Sequence, residues 1–498
     1  MVRFALAALA MLCAMTARAE EPAPVVTQHQ IKVDGKTLQY TAEAGRIAIR
    51  DVQTGEPHAY MFYTAYRVRS SGQTRPVTFL WGGGPGGASV GMNFNLAGPM
   101  VAEGELFDGA RLVANDRTWL TATDLVVVDQ VGTGFSRPTR PEYAAEFNST
   151  IGDTNSFAEF IRCWLIQHDA EETPVFIGGV SWGAPRAATV GYALTKQGLP
   201  LHGVIMITGE TSLNKPYISR RLFEALRVVG MAEVARFHHR LSPELGTDRD
   251  AIAKAADTWV RNTYVPALDR IDQLSGAERS EIVAGLSRFT GIAPDAIDRK
   301  TLIVTPRQFH TLLLKDQDQK LFGFDTRVTT SRPPTSATPA ILRHFKYELG
   351  YRTDLPYRGL GSPHNNAGFA PAGVFPPGPG ENWVYATSPV PEAEANALMV
   401  AAVQRGGGPP TVGTPLPATD EAVQLNPNLK FLIILGRYDG ESTCPANAEL
   451  ERNLPPYLRQ AMTFKCYESG HTPWRTPGVG LQFANDARAF IRSASKTP

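Results

Sequence analysis

Gly179-Val180-Ser181-Trp182-Gly183 sets a serine in a Gly-x-Ser-x-Gly frame, with the β-like run Pro174 to Gly178 (PVFIG) before it and the helix-like run Ala184 to Leu194 (APRAATVGYAL) after it. At such a strand-to-helix turn the glycines spare a tight elbow from steric clash, and the serine hydroxyl stands above a sheet as a nucleophile. The pattern alone is common in a chain with 45 glycines, so the rest of a catalytic constellation has to carry the reading. A nucleophilic serine of this kind needs an orienting acid and a base, following in the order Ser, Asp, His on loops that leave the C-terminal ends of strands. Phe431 to Leu435 (FLIIL) is an uninterrupted apolar run, as a buried parallel strand should be, and Gly436-Arg437-Tyr438-Asp439 leaves its end. Met462 to Tyr467 (MTFKCY) ends in Glu468-Ser469-Gly470-His471, and no histidine lies beyond. Ser181 is therefore the expected nucleophile, Asp439 the acid and His471 the base.

Upstream, Val77 to Trp81 (VTFLW) runs into Gly82-Gly83-Gly84-Pro85-Gly86-Gly87, which formally satisfies G-x-G-x-x-G. A dinucleotide-phosphate loop would open a helix at its third glycine, and Pro85 with the further glycines does not suit that. After this strand a glycine-rich loop has another use, which is to point backbone N–H groups at the oxyanion of a tetrahedral intermediate. The predicted donors are the N–H groups of Gly84 and Trp182. Trp81, Trp182, Phe94, Tyr438 and Trp474 lie near these motifs and could wall an apolar pocket, although core packing explains each of them as well.

The elements that must position these residues spell an α/β-hydrolase fold: a mostly parallel central sheet flanked by helices, with a mainly helical insertion or cap between nucleophile and acid. Four segments are expected: residues 1-19 a signal peptide, 20-213 the first part of the hydrolase domain, 214-425 the cap region and 426-498 its second part. The cap reading rests on helical periodicity over Ile218 to Val229, Met231 to Leu241, Asp248 to Tyr264 and Arg279 to Phe289. The Pro/Gly-rich stretches Ser331 to Pro339, Pro371 to Pro379 and Gly406 to Pro417 read as surface loops.

Arg3, the apolar run Phe4 to Met15 and Ala17-Arg18-Ala19 form a charged, apolar and small-residue series of the secretory type, which implies cleavage near Ala19 and a secreted or periplasmic protein. Twelve apolar residues are too few to span a bilayer and no other run approaches about 20, so integral membrane association is not expected. The formal charge of +1 falls to −1 once Arg3 and Arg18 leave, and no basic run suggests nucleic acid. The partner is then a small acyl-ester, amide or peptide substrate, with no cofactor called for. Three cysteines remain after cleavage. Cys444 follows Asp439 and Cys466 precedes His471, so a bridge between them would tie the two catalytic loops together, but sequence spacing does not decide it. Cys163, in the helix-like Phe157 to His168, is expected in the core, and none of the cysteines has zinc-ligand spacing.

The glycine loop, Asp129-Gln130-Val131-Gly132-Thr133-Gly134-Phe135-Ser136, GVSWG, GRYDGESTCP and SGHTP together resemble the serine carboxypeptidase family, in particular its bacterial branch. Tyr40 to Ile49, Arg75 to Phe79 and Leu321 to Val328 (LFGFDTRV) extend the resemblance over most of residues 30 to 490. It implies Ser181, Asp439 and His471 as the triad of a serine hydrolase working through an acyl-enzyme. The departures bear on the substrate. The family's loop opens on Asn where this chain has Gly82, ahead of Gly83. A Glu precedes the family's nucleophile where this chain has Val180, and a second Glu aligns with Leu96. Those polar residues hold the substrate's C-terminal carboxylate, and a carboxylate buried among Gly82, Val180 and Leu96 would lose its partners. Either another donor such as Asn93 or Asn95 takes over, or the chain is a divergent esterase, amidase or acyltransferase without carboxylate recognition. Trp81 completes the residues read as possible substrate contacts.

Overall fold

The computed structural model describes residues 23–69, 74–103, 111–209, 211, 217–329, 339–358, 383–384, 418–441 and 443–496. The expected signal peptide and the three Pro/Gly-rich stretches, Pro339 apart, lie outside the described residues. Strands β1 (Val25–Val33), β2 (Lys36–Arg50) and β3 (Pro57–Val68) pair antiparallel in sequence. They are followed by β4 (Val77–Trp81), the small hairpin β5 (Met100–Glu103) and β6 (Arg111–Ala114), β7 (Asp124–Val128) and the short β8 (Arg137–Pro138). The chain continues through β9 (Val175–Val180), β10 (Leu201–Ile207), β11 (Lys430–Gly436) and β12 (Met462–Tyr467). The main sheet runs β1-β2-β3-β7-β4-β9-β10-β11-β12, with β8 on β3. From β7 to β12 every neighbouring pair is parallel.

The parallel strands read as continuous apolar runs because helices cover both of their faces, whereas the edge strand β1 alternates between more and less exposed residues. Alternate side chains enter two cores. Phe79, Phe431 and Ile433 meet Phe160 and Trp164 of the helix Thr150–Gln167 and Ala184 and Ala187 of the helix Gly183–Lys196. Leu80, Leu432 and Ile434 face the other way, toward Phe483, Ala487 and Ile491 of the helix Val479–Ala494. This mostly parallel sheet between helical layers is the α/β-hydrolase architecture.

Between β10 and β11 the described elements are helical, with Arg220–Ala225, Arg227–Phe237, Arg249–Trp259 and Gly276–Thr290 the main ones. Their starts are set by side chains that accept the first free amides, Ser219 from Leu222, Asp248 from Ala251, and Ser275 in a reciprocal box with Glu278. The sequence pattern put a break at Gly230, but the chain breaks at Leu226 and Gly230 sits inside a helix. There tertiary packing overrides the weak helix propensity of glycine.

Candidate active site

Ser181 follows the last residue of β9 directly and adopts φ 57°, a left-handed conformation that costs a non-glycine residue on the order of 1–3 kcal/mol. The turn is held from both sides, with the Ser181 N–H donating to Ile207 O at 2.9 Å and the Ala184 N–H to Ser181 O at 2.9 Å. A Cβ on Gly183 would lie 2.6 Å from Gly82 O, so the glycine frame is what lets the loop after β4 close onto the elbow.

Asp439 lies on the loop after β11 and His471 on the loop after β12, so the three residues stand at the same edge of three parallel strands. His471 Nδ1 is 2.9 Å from Asp439 Oδ2, both side chains being buried. The second oxygen of Asp439 accepts the Glu441 N–H at 3.0 Å, which orients the carboxylate. Thr208, just past β10, ties the base loop to the elbow. Its Oγ1 donates to His471 O at 2.8 Å while the adjacent Ile207 O takes the Ser181 amide. Nε2 of His471 is buried and bonds to no protein atom among the described residues, Ser181 included. Cys444, the first residue of the helix Cys444–Asn453 after the acid loop, is bridged to Cys466 on β12, with Cα atoms 6.0 Å apart.

The glycine loop lies against the elbow. A Cβ on Gly83 would be 2.6 Å from Val180 O, 2.7 Å from Ser181 Cβ and 3.1 Å from Trp182 N. Gly84, at φ 119°, follows in the same loop, and Trp182 packs edge-on against Trp383. A residue that sequence reasoning missed fastens this loop. Arg186, buried in the first turns of the elbow helix, donates to Asp153 Oδ2 at 2.5 Å, to Gly82 O at 2.9 Å and to Gln130 Oε1 at 2.5 Å, and Gln130 Oε1 also accepts the Gly86 N–H at 3.0 Å. Burial pushes the Asp153 carboxyl up to about 6, with Arg186 opposing it. Asp129, in the motif after β7, is likewise pushed up to about 6 by burial and accepts the Ser89 N–H at 2.7 Å.

Several expected contacts lie elsewhere. Trp81 is 0 % exposed, donates to Gly183 O at 2.9 Å and packs on Phe157, and Leu96 is 3 % exposed in the second core. Neither presents surface to a substrate. Phe94 and Trp474 are buried too, against Phe345 and Phe483, because residues close in sequence to a loop motif can still point into the layer beneath it. Asn93 is not available as a substitute donor, since its amide bridges Thr64 Oγ1 at 2.9 Å and the Tyr66 hydroxyl at 3.0 Å. Val180 packs against the same core as Leu96, and a side chain at Gly82 would place Cβ 2.6 Å from Ala88 O. Cys163 is half-buried rather than a core residue, with its thiol pushed up to about 11 by burial and the neighbouring Glu159.

Among known proteins, residues 36–218 match the model of the serine carboxypeptidase family. Serine carboxypeptidase-like 16 of Arabidopsis thaliana is 30% identical over 149 residues, 29% of this chain and 33% of the plant protein, so the match spans about a third of that relative's length. A prohormone-processing carboxypeptidase from Saccharomyces cerevisiae superposes with TM-score 0.51 and 14% identity, covering 91% of each chain, a likeness of fold. Among the described residues no helix is long and apolar enough to cross a membrane. The chain has the α/β-hydrolase fold, and its residues 36–218 are similar to the serine carboxypeptidase family.

Proposed function

We propose that this protein is an exported serine hydrolase that opens an amide, peptide or ester bond through an acyl-enzyme on Ser181. One observation carries the reading: a serine held at φ 57° on the β9 elbow shares a strand edge with a buried His471–Asp439 pair 2.9 Å apart. Ser181 Oγ attacks the substrate carbonyl as His471 Nε2 takes its proton, and Asp439 fixes the imidazole with Nδ1–H toward the carboxylate. The N–H groups of Gly84 and Trp182 receive the oxyanion. The imidazolium then passes its proton to the departing amine or alkoxide, and water repeats the sequence to release the acid. Residues 214–425 act as the cap over this site, an arrangement supported by the helices between β10 and β11. The N-terminal leader read from the sequence and the Cys444–Cys466 bridge both suit export to an oxidising compartment.

A second reading, a divergent esterase, amidase or acyltransferase without carboxylate recognition, is favoured by Val180 and Leu96. Both belong to the apolar packing where the family places carboxylates, and Asn93 is already engaged inside the protein. Two measurements test these readings. Ser181→Ala should abolish fluorophosphonate labelling and lower kcat by on the order of 10⁴, with Asp439→Asn nearly as severe; full labelling of the alanine variant would move the nucleophile elsewhere. Acyl dipeptides with free and amidated C-termini, assayed beside aryl esters, should show no loss of kcat/KM on amidation. A strong preference for free C-termini would make the protein a plain carboxypeptidase.

A further inference from the structure

The segment Leu321 to Val328 has no role in the chemistry above, yet it is latched across both catalytic loops. Gly323 O accepts the Gly440 N–H at 2.9 Å, and Phe324 O accepts the His471 N–H at 2.7 Å. Thr326 donates twice to Tyr438 O, from its amide at 2.9 Å and from Oγ1 at 2.8 Å. Thr326 O is in turn 2.7 Å from His238 Nε2 in the helical region. This strap holds Phe324 with its ring 4.8 Å from the His471 imidazole at 34°, and the residue is still 49 % exposed. Phe322 stands edge-on to it at 5.6 Å. A single exposed phenylalanine on a free loop would mean little. Here the backbone on either side of it is bonded to the acid and base loops, which anchors its Cα beside the imidazole.

The place beside the imidazole has a chemical meaning. His471 must hand its proton to the leaving atom, so a side chain beside the imidazole is placed to meet the leaving group. Resting on the serine-hydrolase reading above, we propose that Phe324, supported by Phe322, is a specificity-determining wall that selects substrates with a flat aromatic leaving group. The one cation of the strap is already engaged: Arg327 is bonded to Asp325 at 2.6 Å and lies over the Tyr438 ring. The strap therefore offers a ring face and no free cation of its own to an anionic leaving group.

The test uses benzyl and methyl esters of one acyl group, whose alcohols differ little in acidity, so leaving-group chemistry cancels in the comparison of variants. An aromatic contact of this kind is worth about 2- to 10-fold in rate. Phe324→Ala should lower the benzyl-to-methyl ratio of kcat/KM by that factor, Phe324→Tyr should keep it, and Phe324→Leu should fall between. An unchanged ratio, or an equal loss on both esters, overturns the proposal, the latter by showing that Phe324 only positions His471. Labelling of wild-type Ser181 by a fluorophosphonate is read in parallel. Absence of that label, with neither ester cleaved, refutes the serine-hydrolase reading itself, whereas label with an unchanged ratio refutes only the aromatic wall.

Discussion

Replacing Arg186 by leucine removes three hydrogen bonds at once and leaves Asp153, whose side chain is 2 % exposed, without its cation. Breaking one side of a buried ion pair costs about 3–5 kcal/mol, because a desolvated charge loses the only group that offsets its burial. Gly82 O and Gln130 Oε1 lose a donor in the same step, so the glycine loop loosens against the elbow as stability falls. Asp153 can escape by taking a proton. Burial already pushes its carboxyl up to about 6 with Arg186 opposing, and without the guanidinium it moves higher. The folded variant then binds a proton that the unfolded chain gives up, so stability decreases as pH rises, and the penalty is smaller at pH 5 than at pH 8. Urea unfolding of wild type and Arg186→Leu at both pH values measures this. Adding Asp153→Leu to Arg186→Leu should recover much of the loss, since removing both partners leaves no orphaned charge. The reasoning fails if Arg186→Leu unfolds within about 1 kcal/mol of wild type at both pH values, or if the double variant is less stable than the single.

Two further outcomes are expected. Gly83→Ala would bring a methyl group 2.6 Å from Val180 O and 2.7 Å from Ser181 Cβ, so fluorophosphonate labelling and kcat should drop by at least about tenfold; unaltered labelling would show that the loop yields freely. His344 is held down to about 4 from 6.5 by burial beside Phe94, so the unfolded chain takes up a proton in that window that the folded protein refuses. This group's contribution is lost as pH falls from 6.5 to 4, on the order of 3 kcal/mol at most, and His344→Leu should flatten that part of the urea-measured stability profile relative to wild type. Parallel profiles would argue against a buried neutral imidazole.

Much of the fold was legible because its signals are local. VTFLW, FLIIL and MTFKCY each read as a strand from a few consecutive residues, and each is one. A Gly-x-Ser-x-Gly between a strand and a helix likewise announces its own turn, since the left-handed backbone of Ser181 and the close approach of Gly179 to Gly183 O act within five residues. The order of Ser181, Asp439 and His471 along the chain, with the strand before each, could be read for the same reason. What lay beyond the sequence depends on partners far apart in the chain. Arg186 and Asp153 are 33 residues apart and Arg186 and Gly82 are 104 apart, and no periodicity in the elbow helix says which face meets a glycine loop. Trp81, Phe94, Leu96 and Trp474 sit beside loop motifs in sequence but are buried in the layers, because a side chain's direction follows from sheet register and helix docking and not from its neighbours along the chain. The strap at Leu321 to Val328 could be recognised as a motif but not given a place. Its backbone bonds to Tyr438, Gly440 and His471 exist only after β11 and β12 have brought those loops together, so the ring beside the imidazole is decided by the tertiary structure alone.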